Sequence, residues 1–180
     1  MNSQNMYIKY IEMKDASSLL DIKRRNRDFF QTFEPIRDES HFTLEGQEKE
    51  IANFIQGQQN DQSYNFGIFL EENDELIGKI ALSGVARGPF QNASLGYFID
   101  QKQNGKGYAT TAAQLCVMKA FNELGLHRIQ AGVMPKNQPS MRVLEKAGFR
   151  REGLALAYLK INGSWEDHVL FAITAEEISR

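Results

Sequence analysis

Between Ala93 and Leu126 the chain reads ASLGYFID and then QKQNGKGYATTAAQLCVMKAFNELGL. Leu95, Tyr97 and Ile99 alternate with Gly96, Phe98 and Asp100, the period of a β-strand. Ala109, Ala112, Ala113, Cys116, Ala120 and Leu124 then recur at helical spacing. Between the two patterns stands Asn104-Gly105-Lys106-Gly107-Tyr108-Ala109-Thr110. A strand that turns into a helix through glycines leaves several backbone N–H groups unpaired and converging. Such a convergence suits a phosphate, and the glycines permit backbone angles and close approach that a side chain would obstruct. Lys106 either adds a charge there or points to solvent. The dinucleotide fingerprint would need a third glycine where Thr110 stands, and no Walker pattern ending in Gly-Lys-Ser/Thr occurs.

The flanking sequence predicts an order of elements around this unit. Met6 to Met13 is rich in β-formers, and Asp15 is placed to N-cap a helix running to about Gln31. Lys23, Arg24, Arg25 and Arg27 in that helix read as a solvated face, or alternatively as attraction to an acidic or RNA-rich partner. Pro35 breaks the acid-rich connection Phe33 to His41. A second helix follows from about Thr43 to Asn60, with Leu44, Ile51 and Ile55 on one side. Ser63 to Leu70 and Glu75 to Ser83 form a hairpin, in which Gly67 and Gly78 indicate bulges or tight packing, and Gly84 to Asn92 is a loop.

Beyond the central helix, His127 to Met134 alternates as a strand parallel to the first, because a strand–helix–strand crossover joins parallel neighbours. Pro139 to Ala147 is a short helix closed by Gly148. Leu154 to Ile161 and Ser164 to Ile173 flank Asn162-Gly163, a strong two-residue hairpin signal. A tight turn there sets Lys160 opposite Trp165, Tyr158 opposite Asp167 and Ala157 opposite His168.

A chain of 180 residues with 42% hydrophobic and 24% charged residues has the length and composition of one globular domain, expected over residues 6–177. Its net charge of −2 argues against general nucleic-acid binding, and no direct nucleic-acid reading is expected. The lone Cys116 falls on the apolar face of the central helix and reads as a packed thiol. No apolar run approaches the roughly 20 residues of a membrane span, and the first residues carry no secretion signal, so no membrane partner and a cytoplasmic location are expected. No His/Cys/Asp spacing suggests a metal site. Monomer and homodimer are both open.

Asn104 to Thr110, placed after Leu-Gly-Tyr-Phe-Ile-Asp, resembles the acetyl-CoA pyrophosphate loop of the GNAT acetyltransferase superfamily. In that pattern, Gln/Arg-x-x-Gly-x-Gly/Ala, Gly107 and Ala109 match the later positions and Asn104 stands where Gln or Arg is usual. Further stretches are similar to the RimJ branch of the RimJ/RimL-type enzymes: Glu34-Pro35-x-Arg37-Asp38-Glu39-Ser40-His41, Arg87-Gly88, Met134-Pro135-x-Asn137-x-x-Ser140, Gly148-Phe149-x-x-Glu152-Gly153 and Gly163-x-Trp165-x-Asp167-His168-Val169.

The resemblance implies an α/β GNAT fold: a mixed, twisted sheet of about seven strands with four helices, a bulged central strand, and a splay between strands 4 and 5. It implies acetyl-CoA as co-substrate, with pantetheine along the backbone near Phe98, Ile99 and Asp100. The pyrophosphate would sit on the glycine turn, Asn137 would contact the pantetheine arm and Ser140 would face the sulfur. The implied acceptor is the N-terminal amine of a protein, an alanine of a ribosomal protein in the RimJ case, acetylated by direct transfer.

Two proton problems define the chemistry: the amine must be neutral to attack, and the departing thiolate benefits from a donor. Ser140 is a donor by this reading, or simply a first-turn serine. Some relatives carry a glutamate where Gly132 stands, so the base must be found elsewhere. Glu34, Asp38 and Asp167 are the candidates, and each could equally form ion pairs; His168 reads as a hydrogen-bonded packing residue. An α-amine, with a pKa about 2.5 units below that of lysine, needs about 3.4 kcal/mol less work to deprotonate, which suits a site with a modest base. The rival readings are a small-molecule acetyltransferase for polyamines, aminoglycosides or amino acids, and a non-catalytic acyl-CoA-binding module.

Overall fold

Seven strands form one mixed sheet in the order β1-β2-β3-β4-β5-β7-β6 in the computed structural model, which describes residues 5–178. The expected absence of a secretion signal falls mainly on residues 1–4, outside that range. The strands are β1 (Met6–Tyr10), β2 (Tyr64–Leu70), β3 (Leu76–Ala86), β4 (Asn92–Ile99), β5 (Arg128–Val133), β6 (Arg150–Ile161) and β7 (Ser164–Thr174). The helices are α1 (Ala16–Arg25), α2 (Arg27–Gln31), α3 (Leu44–Gln59), α4 (Tyr108–Asn122), α5 (Gln138–Lys146) and a single turn α6 (Ala175–Ile178). The seven-stranded mixed sheet is the expected one, with more helical segments among the described residues than the expected four.

Helices cover both faces of the sheet. Ala112, Ala113, Cys116 and Ala120 of α4 and Leu144 of α5 pack with Phe66, Ile80, Leu82 and Ile129 in the larger core. Leu19 and Ile22 of α1 and Ile51 of α3 pack with Phe69 and Leu76 in the smaller one. The small residues of α4 let its axis approach the strands closely. Burial pushes the Cys116 thiol up to about 12, so it is a packing group, as its place on the apolar face suggested.

The parallel pair β4–β5 is joined at Asn92–Arg128, Ala93–Ile129 and Ser94–Gln130 only. Beyond Ser94 the two strands part, which is the expected splay. The irregularity near it belongs to β3 rather than to the central strand: Ser83 pairs with Ser94 and Ala86 with Asn92, so Gly84 and Val85 together oppose Ala93. Gly78 serves close approach, because a Cβ there would lie 2.3 Å from the Phe98 carbonyl oxygen.

Four other expectations are corrected. The helix from Asp15 to Gln31 is two helices, because buried Asn26 breaks it: its Nδ2 donates to Ile22 O (2.8 Å) and to Asp100 Oδ1 (3.1 Å), and its Oδ1 accepts from Gln101 N (2.9 Å). Asp15 precedes α1 without capping it, and its carboxylate accepts from Glu12 N instead. On α3, Ile51 is buried but Leu44 and Ile55 are exposed.

The fourth concerns the last hairpin. Lys160 does oppose Trp165, but the ladder then slips, and His168 opposes Ala155 rather than Ala157. Ala157 is the cause: it takes φ +47 and donates its N–H to Asp167 Oδ1 (2.8 Å). Three residues of β6 thus face one of β7, and such an irregularity twists and bends the strand locally.

Candidate active site

The splay opens onto a cavity of about 570 Å³ lined by the β4 end (Tyr97, Phe98, Ile99), the glycine turn and the start of α5. Asn104, Gly105, Gly107, Tyr108, Ala109 and Thr110 all face it. Gly105 and Gly107 have φ +78 and +84, values that favour glycine. Gly107 caps α4, and the Thr111 N–H returns to its carbonyl (3.1 Å). The N–H groups of Tyr108, Ala109 and Thr110 precede that first bond and point out of the helix end. A Cβ at Gly105 would meet nothing within 4 Å, so the turn offers an open amide surface. These residues fit a pyrophosphate.

Lys106 lies apart from this lining and donates to Gln103 Oε1 (2.7 Å). Asp100 does too. Its N–H donates to Ile77 O, its carbonyl accepts from Gln103 N, and its carboxylate, 2% exposed, accepts from Arg25 Nε (2.8 Å) and Asn26. Burial alone would raise this carboxyl, but the hydrogen bonds from Arg25 and Asn26 outweigh it and hold it below the usual range. Asp100 therefore anchors the end of β4 to α1, with its backbone N–H and carbonyl each making a bond within the fold.

Ser140 lies in the first turn of α5, where its N–H donates to the Asn137 Oδ1 cap (3.3 Å). Asn137 and Ser140 both line the cavity. The Ser140 Oγ is 2.7 Å from the Tyr97 hydroxyl, and either oxygen can donate. Burial pushes the Tyr97 phenol up to about 12, so it stays protonated and supplies one proton to the pair. Tyr97 was legible only as an inward residue of the strand; a polar aromatic on an apolar face was the available signal.

Of the three carboxylates proposed as bases, only Glu34 reaches the site. It lines the 570 Å³ cavity, a neighbouring one of about 440 Å³ and a pocket of about 170 Å³ inside the splay. Burial raises its carboxyl, and the charges of Arg37, Lys23 and Lys79 act in the opposite direction. Asp38 is exposed at the start of the turn Glu39–Phe42, outside the three cavities. Asp167 also lies outside them, holding the Ala157 N–H. His168 is buried, with Nδ1 3.0 Å from Glu166 O and its ring against Tyr158.

The loop that carries Glu34 is pinned from a distance. Asn162 Oδ1 accepts from Ile36 N (2.7 Å), and its Nδ2 donates to Glu34 O (3.4 Å). The tip of the β6–β7 hairpin thus holds the loop over the splay. The basic run at the end of α1 and the start of α2 is likewise tied to neighbouring groups. Lys23 pairs with Glu50 (2.5 Å), Arg24 donates to Phe42 O, Arg25 holds Asp100 and Arg27 holds Glu39. Arg24 and Arg25 are exposed, as a solvated face requires, and only Lys23 of the four is buried.

Among the described residues no group of three or more His, Cys, Asp or Glu is placed to hold a metal ion, and no helix is long and apolar enough to cross a membrane. A converging set of amides continuous with a slot between parting strands suits a long, phosphate-bearing thioester. The chain is an N-acetyltransferase. Residues 6–150 match the Acetyltransferase (GNAT) domain, and the chain belongs to that family.

Its relatives include the probable N-acetyltransferase YjcK of Bacillus subtilis (strain 168), 48% identical over 173 residues, 96% of each chain. The [ribosomal protein uS5]-alanine N-acetyltransferase of Escherichia coli (strain K12) is 34% identical over 177 residues, 98% of this chain and 91% of that one. Among solved structures, Mycobacterium smegmatis RimJ in complex with CoA-disulfide superposes with a TM-score of 0.92 at 30% identity, covering 97% of this chain and 84% of that one.

Proposed function

We propose that this chain transfers acetyl from acetyl-CoA directly to the N-terminal α-amine of a protein, a ribosomal protein with N-terminal alanine being the first acceptor to test. One observation carries the reading: the Glu34 carboxyl and the Tyr97–Ser140 hydroxyl pair line the same cavity as the glycine turn. A base for the amine and a donor for the sulfur therefore face one space. The relatives support it through the ribosomal-protein alanine specificity named for the Escherichia coli enzyme and the coenzyme bound by Mycobacterium smegmatis RimJ.

Acetyl-CoA, when bound, supplies an activated acetyl thioester. Glu34, raised by burial, takes the proton from the acceptor ammonium. Its modest basicity suits an α-amine better than a lysine. The Ser140 hydroxyl, backed by Tyr97, donates to the departing sulfur. The amides of Tyr108, Ala109 and Thr110 hold the diphosphate at the positive end of α4, and Phe29, Phe30 and Phe33 wall the cavity against water.

Polyamine and aminoglycoside acceptors fit poorly. The adjoining 440 Å³ cavity is lined by Lys23, Arg27, Arg37 and Lys79 against Glu34 and Glu50, so cations exceed anions. Mass spectrometry of ribosomal-protein N-termini with and without this chain tests the reading directly. Loss of acetylation at one N-terminus, restored by the wild-type chain and not by Glu34→Gln, is the expected result. Unchanged N-termini together with turnover of a small amine would replace it.

A further inference from the structure

The 440 Å³ cavity is floored by one face of β2, β3 and β4, through Asn65, Lys79, Ala81, Ser83 and Gly96. Small side chains at three of those positions make the room. Most of the charges around it are already matched: Lys23 pairs with Glu50 and Arg27 with Glu39, each at 2.5 Å. Lys79 is different. Its Nζ donates to Asn65 Oδ1 (3.1 Å) and lies 4.4 Å from the Phe54 ring centroid, and neither partner carries a negative charge. Among the described residues no carboxylate forms an ion pair with it, nor with Arg37 at the rim.

A half-buried ammonium is costly unless something offsets its lost hydration. An amide oxygen, a ring face and the charges of Glu50 and Glu34, neither in direct ion-pair contact, do so only in part, and burial lowers Lys79 to about 8. Strand register sets Lys79 opposite Phe98, the neighbour of Tyr97. Phe30, Glu34, Tyr97 and Phe98 are common to this cavity and the one over the glycine turn. A molecule whose amine meets Glu34 therefore extends into the space that Lys79 faces.

We propose that Lys79, with Arg37 at the rim, is a carboxylate-binding subsite that selects acceptors bearing an anionic group close to the reacting amine. The carboxylate can come from an acidic side chain just after the N-terminal residue of a polypeptide, or from the α-carboxylate of a free amino acid. The inference rests on the reading of this cavity as the acceptor site.

Matched acceptors separate the possibilities. Thiol release is followed with an Ala-Asp peptide against the otherwise identical Ala-Asn peptide, and with alanine against alaninamide. The acidic member of a pair should show a KM lower by about tenfold, the equivalent of one charge-assisted contact. In Lys79→Gln the two members should become equal in KM, whatever change in kcat common to both follows from removing its charge near Glu34. Lys79→Glu should prefer an Ala-Lys peptide. A purely structural role for Lys79 would lower turnover of both members alike.

Equal KM values in the wild type, or a preference that survives Lys79→Gln, would overturn the subsite. Peptide turnover without acid preference removes the subsite and leaves N-terminal acetylation standing. A preference confined to free α-carboxylates does the reverse. If Lys79→Gln melts early, Arg37→Gln and Lys79→Met carry the same comparison. If no amine is turned over, calorimetry of the peptide pair on acetyl-CoA-loaded protein decides, and equal affinities reject the subsite.

Discussion

The Tyr97 hydroxyl lies 2.7 Å from the Ser140 Oγ, so a strand residue and a helix residue 43 positions apart are joined by one hydrogen bond at the mouth of the splay. Because Tyr97 is held neutral, with its phenol pushed up to about 12, it orders the serine at any working pH. Ser140→Ala should lower kcat by about tenfold to a hundredfold and leave acetyl-CoA affinity within about threefold. Tyr97→Phe should act in the same direction, and the double variant should be little worse than the worse single one. Stopped-flow turnover and coenzyme titration measure the split; additive losses would mean that the two hydroxyls act apart.

Glu34→Gln should reduce kcat/KM by about 10²–10⁴, the usual range for a general base. The active form is the carboxylate, whose proton affinity burial raises. In the wild type, activity should fall as pH drops through that raised value. A pH–rate profile of Glu34→Gln should lack this acid limb, and a limb retained in the variant would place the base elsewhere.

Gly96 lines the 440 Å³ cavity and the pocket inside the splay, but not the cavity over the glycine turn. A Cβ there meets nothing within 4 Å, so Gly96→Val fills space without displacing the core. Acceptor KM should rise by about tenfold or more while acetyl-CoA affinity and Tm hold, the signature of a blocked acceptor path. A matching loss of coenzyme affinity in calorimetry would instead merge the two sites.

Asn162 stands at φ +50 in its turn while holding Ile36 N and Glu34 O. Asn162→Gly keeps the backbone geometry and removes both hydrogen bonds. With about 1 kcal/mol per hydrogen bond, kcat/KM should fall about fivefold for each one removed, and Tm should move by only a few degrees. Hydrogen exchange at residues 33–38 should speed up in the variant, and unchanged exchange would show that the loop is held by something else.

Asp100→Ala removes the shared acceptor of Arg25 and Asn26 and should cost about 2–3 kcal/mol in urea unfolding at pH 7. The folded carboxyl lies below its ordinary value. Its contribution is therefore complete above the unfolded pKa of about 3.9 and is lost as pH falls through the folded value. Wild type and variant should converge in stability toward pH 3.

The unit from β4 through the glycine turn to α4 was legible because each part is local: strand period, two glycines and a helical stripe lie within one stretch. Asn162-Gly163 was legible for the same reason. The slip at Ala157 was not, since no glycine marks a positive φ in Ala-Tyr-Leu and the cause is the Asp167 side chain across the hairpin. Asn26 reads as an ordinary helix residue until Asp100, 74 positions later, is brought against it. Lys23 and Lys79 follow the same logic. What surrounds each depends on which helices cover which sheet face, and periodicity along one element carries no such information.

With only three rungs joining β4 to β5, the sheet is two plates riveted at one end. Strands β1 to β4 form the first plate, and β5 to β7 the second. Heat or force should separate them along that line before either plate frays internally. A molecule wedged into the gap and gripping both lips would act as a missing rung, so occupancy should show itself as mechanical strength across the seam.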